Sequence, residues 1–150
     1  MKTLKITLAL AFVLLLAPAI TSAQEGTATL DFPNANKALQ VVQDYTRALQ
    51  AGDVAAMNNQ LAPNAMIYGL GGGLDSLTVT QHKNYYTEST NKYSHSLTGE
   101  LYLPVKVTDN WNEGEWVLAW GTNTITDKAT GKTITIPYHT ASMVDNGKIT

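Results

Sequence analysis

The chain has 150 residues with ten Lys/Arg, twelve Asp/Glu and no cysteine, which excludes a disulfide framework and leaves no basic excess to displace counterions from nucleic acid. Lys2 and Lys5 precede the apolar run 6–20, and Thr21-Ser22-Ala23 offers small residues for cleavage, so residues 1–23 read as a signal peptide and the protein as exported, periplasmic or secreted. Their removal takes the formal charge from −2 to −4 and leaves 127 residues with no further membrane segment, enough for one domain with its own core.

Residues 24–34 are short and polar with one Pro and read as a flexible lead-in to a domain spanning 35–150. Ala38, Val41, Val42, Tyr45, Ala48 and Leu49 recur at helical spacing, predicting a helix over 35–51 stopped by a left-handed Gly52. Asp53 caps a shorter helix carrying Val54, Met57 and Leu61, ended by Pro63. Residues 65–70 form a short strand running into Gly71-Gly72-Gly73, read as a mobile pocket rim. Thr78 and Gln81 have capping-box spacing for a third helix carrying His82, Tyr85 and Tyr86, which should dissolve in the polar stretch 89–92.

From there the pattern is all strand. Leu97, Leu101, Leu103, Val105 and Val107 alternate with mostly polar positions, and 109–114 turns the chain. Trp116, Leu118 and Trp120 share one parity of the next strand, and 127–131 turns into a strand over 132–144. Asp145-Asn146-Gly147 is a hairpin signal, after which only Lys148, Ile149 and Thr150 remain. Helices followed by a meander predict an α+β fold, three N-terminal helices packed on a cone-shaped, curved antiparallel sheet. A last strand after the hairpin signal is left open.

Residues 41–71, VVQDYTRALQAGDVAAMNNQLAPNAMIYGLG, resemble the opening of ketosteroid isomerases and SnoaL-like polyketide cyclases of the nuclear transport factor 2-like class, and KNYYTEST and IPYHTASM extend the likeness. In the isomerases a Tyr and a protonated Asp donate hydrogen bonds to an enolate while a second Asp moves the proton. The resemblance puts Tyr45 at the Tyr, His139 at the donor after the strand proline, and Gly69 where the proton-moving Asp would stand. Glycine has no group to abstract a proton. Asp75 and Glu88 are the nearest acids in sequence. The resemblance also places Tyr86 beside Tyr45, giving a Tyr-Tyr-His donor cluster for a carbonyl or oxyanion, walled by Trp120 and Trp116.

His139 shares strand parity with Ala141 and Met143, an apolar set expected to line the pocket. The first expectation is therefore a domain binding a small, largely apolar molecule at Tyr45, Tyr86, Trp120 and His139. A second is an isomerase, cyclase or dehydratase with His139 as acid/base and Tyr45 beside it. A third is a homodimer formed on an exposed sheet face bearing Tyr138, Thr140 and Ser142. His82 and His95 read as ordinary helix and loop residues. No histidine pair has a short metal-ligand spacing, so no metal or cofactor is expected. Residues 129–133, ATGKT, lack the first glycine and the following helix of a phosphate loop.

Overall fold

The computed structural model describes residues 26–69 and 76–150; the signal peptide read at 1–23, the Gly71–Gly73 rim and Asp75 lie outside them. Ten elements follow in order: β1 (Thr27–Thr29), α1 (Ala35–Ala51), α2 (Val54–Asn59), β2 (Met66–Tyr68), β3 (Ser76–Thr78), α3 (Val79–Lys92), β4 (Tyr93–Thr108), β5 (Gly114–Asp127), β6 (Thr133–Asp145) and β7 (Lys148–Ile149). One sheet runs β1-β4-β5-β6-β7, every neighbour antiparallel, and β2 pairs with β3 apart from it.

The helix signals act as the residues predict. Gly52 sits at φ 70 and closes α1 with its N–H on Ala48 and Leu49 carbonyls, a conformation that a Cβ would strain. The Asp53 carboxylate accepts from the Ala56 N–H and starts α2, so the two helices meet at a corner. Both bonds of the Thr78/Gln81 capping box are present at α3. Contrary to expectation, α3 runs through the polar stretch to Lys92. Thr90 is buried there, its hydroxyl donating to the Tyr86 carbonyl, and Lys92 pairs with Glu88 one turn back.

Two further expectations change with tertiary context. Within the supposed lead-in, β1 pairs with residues 106–108 of β4 and Phe32 is buried, because an edge partner and an apolar anchor compensate for the segment's poor strand propensity. After the 145–147 turn, β7 pairs with Val144 and Asp145, and Ile149 bridges in parallel to Leu61, so the α2–β2 connection is tied to the sheet.

The sheet's two faces follow from strand parity. Val117 packs with Ala38, Val41 and Val42 of α1 and with Val144 of β6. Odd positions of β5 and even positions of β6 thus face α1, and the alternate positions face away. A second cluster, Ala48, Leu49, Met57 and Tyr86, joins the three helices, and a third forms at Leu61, Ala62 and Ala65. Tyr45 borders both of these clusters.

Candidate functional site

Four polar side chains meet among the helices. Tyr45 lies on α1, Asn58 on α2, and His82 and Tyr86 one turn apart on α3, hence on one face of it. The Tyr45 hydroxyl is 2.7 Å from His82 Nε2, and His82 Nδ1 is 3.3 Å from Asn58 Oδ1. Asn58 Nδ2 donates to the Val54 carbonyl at 2.8 Å. The His82 ring is packed between the two tyrosines, with centroids 5.8 Å from Tyr45 and 4.7 Å from Tyr86, and Tyr85 meets Tyr86 edge-on.

The electrostatics follow from burial. His82 has no exposed surface, and desolvation lowers its pKa to about 4, so the ring is neutral at pH 7. Burial pushes the Tyr45 phenol well above its usual range, reinforced by the nearby Tyr86 phenol. Tyr86 is pushed up to about 12, again chiefly by burial. The cluster therefore consists of neutral groups, able to hold a proton position but not a charge.

A second polar group lies on the α1-facing side of the sheet. Tyr102 on β4 hydrogen-bonds Thr46 of α1 at 2.8 Å and donates to Glu100, towards which the Tyr138 hydroxyl also points at 3.4 Å. Burial first, then the carboxylate, raises both phenols. Glu100 stands in the register shift between Thr98 and Leu101, next to Gly99 at φ 62. The glycine inside a strand was the sequence signal for this bulge. Gly121, opposite Tyr138, lets that ring lie against the β5 backbone: a Cβ there would come within 2.8 Å of the Tyr138 hydroxyl.

The residues named from the sequence divide between two places. Tyr45 and Tyr86 come together with His82, the histidine read as ordinary. Trp120 and His139 also come together, paired in register and stacked with centroids 4.8 Å apart. That pair lies on the sheet face turned away from α1, because Trp120 has the opposite parity to Val117 and Ala119. Ala141 and Met143 do form an apolar set with His139, but on the outer face; Tyr138, Thr140 and Ser142, expected toward a partner, share the side of Val144. Periodicity identifies two faces without saying which one the helices cover. Trp116 is on the outer face too, its indole N–H bonded to the Asn112 carbonyl.

Gly69 has φ 72, with nothing within 4 Å of where a Cβ would stand, so an aspartate there would meet left-handed strain rather than a steric wall. Glu88 is exposed and paired with Lys92. His95, held by Asn123 at 3.1 Å, lies on the α1 side of the sheet rather than in a loop. A cleft of about 430 Å³ opens near the start of α1, lined by Lys37, Lys106, Glu113, Glu115 and Asp145. It is roughly 12 Å along the helix from Tyr45 and its walls carry both charge signs.

With this geometry the comparisons can be placed. A model of the SnoaL-like domain matches residues 42–150. The chain belongs to the SnoaL-like domain family. Among curated proteins, none matches its sequence. Similar solved structures include a candidate polyketide cyclase from Xanthomonas campestris pv. campestris, at 22% identity over 78% of this chain and 87% of the other, with a TM-score of 0.63. A candidate isomerase from Bacillus subtilis is 13% identical over 79% and 84% of the two chains, with a TM-score of 0.64. An LEH-like epoxide hydrolase from M. tuberculosis is 14% identical over 78% and 80%, with a TM-score of 0.62. These likenesses bear out the nuclear transport factor 2-like fold expected from the resemblance of residues 41–71.

Proposed function

We propose that this SnoaL-like domain is exported and binds a small, largely apolar molecule between its helices and sheet, with the ligand's polar group at Tyr45 and Tyr86. The supporting observation is the buried Tyr45–His82 hydrogen bond bordered by the apolar clusters of Met57 and Leu61. Buried polar groups in an apolar wall are a common plan for a small-molecule site. With glycine at position 69 and His139 on the outer face, the residues proposed for proton transfer by resemblance do not meet at Tyr45, which favours binding over the isomerase reading. The test is an NMR titration of the mature chain with 2-naphthol. Shifts concentrated at Tyr45, His82 and Tyr86 and lost in Tyr45→Phe support the reading; shifts confined to Trp120 and His139 sink it. N-terminal sequencing of exported protein should begin at Gln24, and a retained Met1 refutes the export signal.

The outer sheet face favours a second reading, a homodimer. Leu101, Leu103, Val105, Trp116, Leu118, Trp120, His139, Ala141 and Met143 share it through β4–β6, with no Asp, Glu, Lys or Arg among them. Leu101 is 62% and Trp120 36% exposed. A charge-depleted apolar surface of this kind fits the centre of an interface, and a second copy meets no like charge on it. Sedimentation at micromolar concentration should give a dimer that Leu101→Glu with Trp120→Glu converts to monomer; a wild-type monomer refutes it.

A further inference from the structure

Glu100 is an exposed carboxylate that its neighbours hold in one place. Its Oε1 accepts from the Tyr102 hydroxyl and lies 3.4 Å from the Tyr138 hydroxyl, while Thr46 of α1 hydrogen-bonds Tyr102 at 2.8 Å. A glutamate on a strand surface ordinarily samples several rotamers. Here one phenol from β4, another from β6 and α1 behind them fix it in advance, which lowers the ordering cost of any group that binds to it. Among the described residues no cation reaches this carboxylate. The ion pairs are Asp44–Arg47, Glu88–Lys92 and Glu115–Lys106, and Glu100 Oε2 has no hydrogen-bond partner among the described residues.

Tyr138 adds an aromatic face. A Cβ on Gly121 would stand 2.8 Å from the Tyr138 hydroxyl oxygen and 2.9 Å from both Cε1 and Cζ. A point that far from all three atoms lies above the ring plane, so the ring rests by one face on the β5 backbone. Its other face is turned away from the strand, beside the carboxylate. A fixed anion next to an aromatic face attracts an ammonium group, whose N–H donates to the oxygen while the ring quadrupole favours the positive charge. We propose that Glu100, Tyr102 and Tyr138 form a binding site for a small organic amine in its ammonium form. The site lies on the sheet side of α1, apart from the Tyr45 cluster, because Tyr45 and Thr46 are about 100° apart around the helix. It does not depend on the ligand site proposed at Tyr45 and Tyr86.

The test is an NMR titration of the protein with benzylammonium and, as its neutral counterpart, benzyl alcohol. Wild type should bind the ammonium about tenfold more tightly, the scale of one hydrogen bond to a charged group, with shifts centred on Glu100, Tyr102 and Tyr138. Glu100→Gln keeps the shape and removes the charge at an exposed position, and the preference should fall below about threefold. Glu113→Gln removes an exposed carboxylate from the cleft near the start of α1 and should leave the preference intact, as should Tyr45→Phe. Equal affinity of the two probes for wild type overturns the proposal, and so does a preference that survives Glu100→Gln. An equal loss in Glu100→Gln and Glu113→Gln overturns it too, because the amine would then be following the protein's overall negative charge rather than a site.

Discussion

Lowering the pH from 7 to 5 should cost the fold about 2 kcal/mol through His82 alone. The ring's ordinary pKa of 6.5 applies to the unfolded chain, and burial lowers it to about 4 in the folded one. Between those values the unfolded state binds a proton that the folded state refuses, so stability rises with pH there and is lost on acidification. The contribution is fully present above pH 6.5 and exhausted below about 4. Protonation also puts a hydrogen on both ring nitrogens, one of them facing the Tyr45 hydroxyl. Urea denaturation of wild type and His82→Gln at half-unit steps from pH 7.5 to 4.5 isolates the effect, because other titrating groups are common to both. His95, also lowered by burial, is among them. The two free-energy curves should converge by about 2 kcal/mol as the pH falls to 5. Parallel curves would mean that His82 titrates alike in both states and that the buried neutral imidazole is wrong.

The remaining expectations concern the frame around the site. Met57→Ala empties a fully buried position among all three helices and should cost about 2–5 kcal/mol in urea denaturation; a loss below 1 would show that α2 packs loosely. Asp53→Ala removes the cap on Ala56 and should cost about 1 kcal/mol, with Asp53→Asn restoring most of it. Gly121→Ala drives a methyl into the Tyr138 ring and should cost about 1–3 kcal/mol. In a Tyr138→Ser background the same change should be nearly neutral, and an undiminished penalty there would put the strain in the backbone instead.

Much of the local structure was legible because local physics sets it. The helix stop at Gly52, the Asp53 cap and the Thr78/Gln81 capping box each depend on residues three or four apart, and each forms as read. Alternation along β4 to β6 likewise marks two sheet faces. The resemblance of residues 41–71 carried the fold class further than any pattern alone. Where distant groups decide, the reading failed: α3 continues through 89–92 because Thr90 finds buried space and Lys128, far along the chain, donates to the Thr90 and Lys92 carbonyls. The lead-in gains a strand because β4 offers an edge.

The candidate site shows the same division. Sequence by itself determined that Tyr45 carries a polar tip on the apolar stripe of α1 and that position 69 holds no acid, while Tyr86 was placed beside it by resemblance. Only the tertiary structure decided which histidine joins them. His82 lies one turn from Tyr86 on α3 but far along the chain from Tyr45 and Asn58, and nothing short of helix packing brings the three together. His139 matched a motif, yet its side of the sheet is set by where α1 lands, a long-range choice that alternation cannot encode because both parities of β6 are equally regular.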